Sequence, residues 1–124
     1  MPVLTAPPEP THDLGATRFT SLATPSRGTT ATAVWRVEIA AGAPATPHSL
    51  TREEVFVVLD GSASVILDGE RRSAGRGDAI VVPAGVTLVL ANVGPAPLRL
   101  LCCMPVGGQA RLADGTTFTP PWAE

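Results

Sequence analysis

The chain has 124 residues, 44% of them hydrophobic and 16% charged, and a formal net charge of −2. This length suits one domain with its own core, and the weakly acidic balance excludes the basic surface that binds nucleic acid. All nine cationic residues are arginine, and the chain has no Lys and no Tyr. These absences exclude a lysine Schiff base and a phenolic acid or base.

The N-terminal segment, residues 1–13, is rich in Pro and Thr and lacks the basic and apolar regions of a secretory signal. We expect it to form a flexible arm, with residues 14–124 as a single domain. No run reaches the ~18 apolar residues that a membrane helix needs. We therefore expect a cytoplasmic protein without a membrane or nucleic-acid partner.

Apolar residues alternate along most of the chain, and they never keep a helical spacing for long. The segment 30–39, for example, places Trp35 and Val37 on one face and Arg36 and Glu38 on the other. Such alternation is typical of half-buried strands. The predicted strands are, in chain order, 18–23, 30–39, 54–59, 63–67, 79–82, 86–91 and 98–104.

Turn residues separate these strands, and Asp68-Gly69 is the strongest hairpin signal because both turn positions need a positive φ. Residues 105–124 follow the last long strand as a tail that holds Phe118 and Trp122 among prolines. About eight short strands at regular spacing, without a convincing helix, favour an all-β sandwich or barrel.

Two adjacent cysteines, Cys102 and Cys103, occur in the last long predicted strand. Neighbouring side chains on a strand point to opposite faces, so we expect two free thiols and a reducing compartment. Cys102 shares a face with Leu98 and Leu100, which indicates that it faces the core as a small hydrophobe.

The segment 42–61 carries a fixed pattern that starts and ends with glycine. Gly42 is followed by five residues, His48, Ser49 and Leu50, three residues, Glu54, six residues and Gly61. This resembles the first signature motif of the cupin superfamily: Gly, five residues, His-x-His, three or four residues, Glu, six residues, Gly.

The segment 77–92 resembles the second cupin motif, which is Gly, five residues, Pro-x-Gly, two residues, His, three residues, Asn. Gly77 is followed at these spacings by Pro83, Gly85, Leu88 and Asn92. The resemblance covers residues 42–92 and implies a double-stranded β-helix, the jelly-roll barrel of small single-domain cupins.

In metal-binding cupins, the two His and the Glu of the first motif and the His of the second hold one metal. The matching positions here are His48, Leu50, Glu54 and Leu88, so two of the four are leucine. Since catalytic metal sites usually take three protein ligands, we expect no metal and no cofactor. An atypical ligand set, completed by Cys102, Cys103 or His12 of a second copy, stays open as an alternative.

His48 and Glu54 have two interpretations without a metal. They are a hydrogen-bonded remnant pair inside an apolar barrel, or they act as general acid and base on a bound organic molecule. The second interpretation suits isomerisation, enolisation, dehydration or cyclisation.

Leu50 and Leu88 would line an apolar barrel interior if they point inward as the ligands do in relatives. Phe56, Trp35 and Cys102 would join them. Small barrels are often filled by side chains, and the alternative is a pocket for a hydrophobic or part-aromatic ligand of modest size.

The sequence thus favours a metal-independent isomerase, cyclase or dehydratase over a non-catalytic binder of a small organic ligand, and whether the protein is an enzyme stays open. The segments 54–59 and 98–103 are apolar on both faces, which exceeds what one barrel interior needs. Small cupins like this one commonly pair through an outer sheet face, so we also expect a homodimer.

Overall fold

The computed structural model describes residues 2–124, and nearly all of their regular structure is β. The only helices in this range are the short 3-10 turns Pro25–Arg27 and Pro121–Ala123, and neither could cross a membrane. The strands are β1 (His12–Asp13), β2 (Thr17–Ala23), β3 (Thr32–Ile39), β4 (His48–Leu50), β5 (Glu54–Asp60), β6 (Ser62–Leu67), β7 (Glu70–Gly75), β8 (Ala79–Val82), β9 (Leu88–Asn92), β10 (Leu98–Pro105), β11 (Ala110–Leu112) and β12 (Thr117–Phe118).

The strands form two six-stranded antiparallel sheets. The first sheet has the order β1-β2-β3-β10-β5-β8, and the second has the order β12-β11-β4-β9-β6-β7. Because sequence neighbours are distributed over both sheets, the chain winds between two layers, as in a jelly roll. The predicted all-β jelly-roll barrel is confirmed.

The core lies between the inner faces of the two sheets, and strand alternation decides which residues reach it. On β3, Ala33, Trp35 and Val37 are buried, whereas Arg36 and Glu38 point away from the core. On β10, the buried residues are Leu98, Leu100, Cys102 and Met104. The alternation read from the sequence is therefore confirmed on both strands.

The hairpin between β6 and β7 has the predicted turn. Asp68 and Gly69 have φ values of 46° and 83°, and Leu67 pairs with Glu70 directly beside them. Asp is one of the few non-glycine residues that tolerate this region. The turn fixes the register of the whole hairpin, from Leu67 and Glu70 to Ser62 and Gly75.

The terminal segments contain more structure than the sequence indicated. Within the segment 1–13, which we expected to be a flexible arm, β1 pairs with β2, and the backbone N–H of Thr11 donates to the carbonyl of Phe19. The tail after β10 holds β11, β12 and the second 3-10 turn. These strands have two or three residues each, too few for an alternation pattern to show.

Candidate functional site

A cavity of about 420 Å³ is lined by inward-facing residues of both sheets. Six of the seven residues that the sequence singled out contribute to it: Trp35, His48, Leu50, Glu54, Phe56 and Leu88. They come from β3, β4, β5 and β9, which are distant in sequence and are joined only by the barrel. Their roles in binding or catalysis stay predictions.

Glu54 is the buried acid of the cavity. It opens β5 opposite Val82 of β8, and only 4% of the residue is exposed. In the described part of the chain, its carboxyl has no hydrogen bond and no ion pair. Burial raises the pKa of Glu54 to about 8. At neutral pH the group is therefore mainly protonated and able to donate a hydrogen bond into the cavity.

His48 is the second titratable group of the cavity, and it is half-buried on β4 between Leu88 and Leu112. Its Nδ1 lies 2.9 Å from the carbonyl oxygen of Thr46. A carbonyl only accepts, so Nδ1–H donates, and the neutral ring then keeps its lone pair on Nε2. Nε2 is the atom able to accept a proton from a bound molecule.

His48 and Glu54 share the cavity without bonding to each other. Among residues 2–124 no hydrogen bond or ion pair joins them. A remnant pair in which each group satisfies the other requires such a contact. The structure instead leaves the carboxyl without a protein partner and ties the imidazole to the backbone beside it.

Leu50 and Leu88 occupy the positions where the metal-binding motif has histidine. Both are buried, and both line the cavity. No three His, Cys, Asp or Glu side chains of the described chain gather closely enough to hold a metal ion. The donor set therefore does not fit the metal that the resemblance implies, because only His48 and Glu54 of the four positions carry a ligand atom.

Cys102 differs from the sequence expectation, because it is buried but does not line the cavity. It pairs with Trp35 on one side and Phe56 on the other, and these larger side chains reach the cavity. Burial, followed by the nearby Glu54 and Cys103, raises the pKa of the Cys102 thiol. Both cysteines are free thiols, as predicted, and Cys102 acts as core packing.

The sequence did not reveal that the C-terminal tail completes the cavity. Phe19, Phe118 and Trp122 line it, and the Trp122 ring stacks on Phe19 with centroids 3.6 Å apart. The Ser21 hydroxyl donates to the Trp122 carbonyl at 2.8 Å, and His12 meets the indole edge-on. The only sequence signal was the presence of aromatic residues in a proline-rich tail, which gives no information about where the tail docks.

Known structures with the same fold include several enzymes. The structure of KdgF from Halomonas sp. is 26% identical, with a TM-score of 0.66 over 76% of this chain and 84% of that chain. The polyketide cyclase RemF from Streptomyces resistomycificus is 23% identical, with a TM-score of 0.72 over 89% of this chain and 80% of that chain.

Sequence comparison gives the family. An uncharacterized protein of Methanocaldococcus jannaschii, MJ1618, is 36% identical over 53 residues, which are 43% of this chain and 42% of that protein. The match thus spans less than half of that relative. The family model described as Cupin domain matches residues 35–104, more than half of the chain. This chain is therefore a member of the cupin family.

Proposed function

We propose that this cupin binds a small organic molecule in its apolar cavity and transfers protons on it without a metal, as an isomerase, cyclase or dehydratase. The observation that carries the proposal is Glu54, a buried carboxyl without a protein partner in the described chain that faces the same cavity as His48. Among the described residues, only Thr29 Oγ1 is fully enclosed without a hydrogen-bond partner, so the Glu54 oxygens open onto the cavity. A molecule bound in the cavity is the partner that we propose for them.

The two groups offer one proton donor and one proton acceptor. The raised pKa of Glu54, about 8, keeps a proton on its carboxyl at neutral pH, and the bond from Nδ1 to the Thr46 carbonyl makes Nε2 the ring nitrogen that can accept a proton. For a bound ketone with a carbon–carbon double bond one position further along, Nε2 takes a proton from the carbon beside the carbonyl while Glu54 gives its proton to the carbonyl oxygen. The product is a dienol. Return of the proton from Nε2 to the far carbon of the dienol, with return of the hydroxyl proton to Glu54, completes an isomerisation.

One solved structure of the same fold is named for a reaction of this class. RemF is named a polyketide cyclase, and ring closure next to a carbonyl is a reaction that acid–base groups promote. The leucines at positions 50 and 88 make the cavity drier than histidines would, and a dry site strengthens a hydrogen bond from Glu54 to a developing oxyanion.

The test is proton exchange on an uncharged cyclic ketone. β-Tetralone is incubated with the protein in deuterium oxide, and NMR follows the loss of the signal of the hydrogens beside its carbonyl. We expect exchange faster than in buffer, reduced at least ~100-fold by Glu54→Gln or His48→Ala, the usual scale for losing a general acid or base. Glu53→Gln is the matched control, because Glu53 is exposed and does not line the cavity.

A non-catalytic binding function is the second candidate. It is favoured by the lack of contact between His48 and Glu54 and by a lining that is otherwise apolar, apart from Thr17 and Thr46. The same experiment separates the two functions. Saturable binding of the ketone with exchange no faster than in buffer would replace the proposed enzyme with a binding protein.

We also propose that the protein is a homodimer. The outer face of the first sheet carries adjacent apolar side chains on four strands: Val34, Val55, Val57 and Leu101 are half-buried, and 52% of Val81 is exposed. An apolar sheet face of this kind is typical of a protein interface. Arg36, Glu38 and Arg99 continue the same face and supply charges of both signs for a symmetric contact.

A further inference from the structure

The aromatic residues of the chain converge on one place. The sequence holds three Phe, two Trp and no Tyr, and all five line the cavity. They come from β2, β3, β5, β12 and the C-terminal turn: Phe19, Trp35, Phe56, Phe118 and Trp122. Aromatic faces and edges favour another aromatic ring over an aliphatic one by stacking and edge contacts. The lining thus suits a ligand with an aromatic ring.

The cations of the chain show the opposite distribution. None of the nine arginines lines the cavity, and the chain has no lysine. Four of them, Arg18, Arg36, Arg76 and Arg99, instead line a groove on the other face of the first sheet. A carboxylate or phosphate inside the cavity would meet one imidazole and one carboxyl but no guanidinium or ammonium group. Burying an anion without a paired cation is costly.

We propose that the cavity selects an uncharged compound with an aromatic ring and one hydrogen-bond acceptor, and rejects carboxylates and phosphates of the same shape. The proposal rests on the proposed function only in taking the cavity as the ligand site. The acceptor is the group that pairs with the unpartnered carboxyl of Glu54. The ring packs between the side chains contributed by the two sheets and the C-terminal turn.

The test compares three probes of one shape. β-Tetralone has an aromatic ring and an uncharged carbonyl, the carboxylate of tetralin has the same ring with a negative charge, and β-decalone keeps the carbonyl on saturated rings. Calorimetry gives their dissociation constants with the full chain at neutral pH. We expect β-tetralone to bind at least ~10-fold more tightly than the carboxylate, and several-fold more tightly than β-decalone.

A positive charge introduced at the edge of the cavity should shift the preference between the uncharged ketone and the carboxylate. Thr46 lines the cavity and is itself exposed, so Thr46→Lys adds a cation without burying it in the core. We expect this variant to tighten carboxylate binding several-fold relative to β-tetralone binding, so that the ratio of the two dissociation constants moves toward the carboxylate. Thr30→Lys is the matched control, because Thr30 is exposed and does not line the cavity.

The outcomes separate this inference from the proposed function. Equal or tighter binding of the carboxylate to the native protein would overturn the charge preference and leave the cavity a ligand site. Equal or tighter binding of β-decalone would overturn the aromatic preference in the same way. Failure of all three probes to bind, with native and Thr46→Lys protein alike, would refute both proposals.

Discussion

The carboxyl of Glu54 makes the stability of the fold depend on pH. Its pKa is about 8 in the folded protein, against 4.5 as the ordinary value, so the folded state holds the proton more tightly than the unfolded chain does. The stability that this group contributes is complete below pH 4.5 and is lost as pH rises through 8.

We therefore expect the free energy of unfolding of the native protein to fall, relative to that of Glu54→Gln, by several kcal/mol between pH 5 and pH 9. Urea unfolding at pH 5, 7 and 9 measures the difference between the two proteins. Glu53→Gln is the control, because it removes one carboxylate at the exposed residue directly before β5. A difference between native protein and Glu54→Gln that stays constant with pH would refute burial of an unpartnered carboxyl.

Gly61, in the turn between β5 and β6, has a close steric contact in addition to its positive φ. Gly69 has the positive φ without that contact, so comparing the two glycines separates the two effects. Gly61 has a φ of +92°, and an added Cβ would lie 2.8 Å from the carbonyl oxygen of Pro97. Gly69 has a φ of +83°, but nothing lies within 4 Å of its Cβ position. The two glycines share the backbone strain and differ in the contact with the loop before β10.

Gly69→Ala should cost roughly 1–2 kcal/mol of unfolding free energy, the usual penalty of a positive φ for alanine. Gly61→Ala should cost at least about 1 kcal/mol more, because the backbone near Pro97 has to move. Chemical denaturation of both variants measures the two costs. Equal costs would mean that the close approach between this turn and the loop before β10 places no demand on residue 61.

The long strands were readable because their patterns are local. β5, β8 and β10 were predicted to within one residue at each end, since alternation or a continuous apolar run persists over four or more positions. β7 was not predicted because its sequence is mostly polar, as suits a strand at the edge of a sheet. β1, β11 and β12 were not predicted because two or three residues are too few for an alternation pattern to show. β1 and β12 pair with strands close to them in sequence, and only β11 also pairs with a distant strand, β4.

The same distinction between local patterns and distant contacts applies to the residues of the site. Motif spacing identified the inward positions 48, 50, 54 and 88, because period-two geometry carries over from relatives with the same register. It could not identify Phe19 and Trp122, whose rings stack although about a hundred residues of chain separate them. The hydrogen bond from Ser21 to the Trp122 carbonyl joins the same two segments. Nor could it predict that His48 bonds to the Thr46 carbonyl, since that choice depends on the local backbone of β4.

At the scale of the whole molecule, the proposed homodimer depends on the outer face of the first sheet. Val57 lies half-buried in that face, and Val57→Asp should convert the dimer to a monomer by placing a carboxylate in an apolar contact. Val93→Asp is the control at an exposed valine outside the face. Light scattering at micromolar concentration reports the mass, and a native protein at the mass of one chain would refute the dimer.

The central claim is that this cupin barrel has become a site for an organic molecule, because leucine stands at two of the four ligand positions of the metal-binding motif. Elemental analysis of untagged protein, soaked in turn with Mn, Fe, Ni and Zn and then desalted, tests it most directly. Leu50→His combined with Leu88→His restores the four donors and is the positive control. We predict trace metal in the native protein and about one equivalent in the double variant. About one equivalent in the native protein, lost in His48→Ala, would contradict the claim.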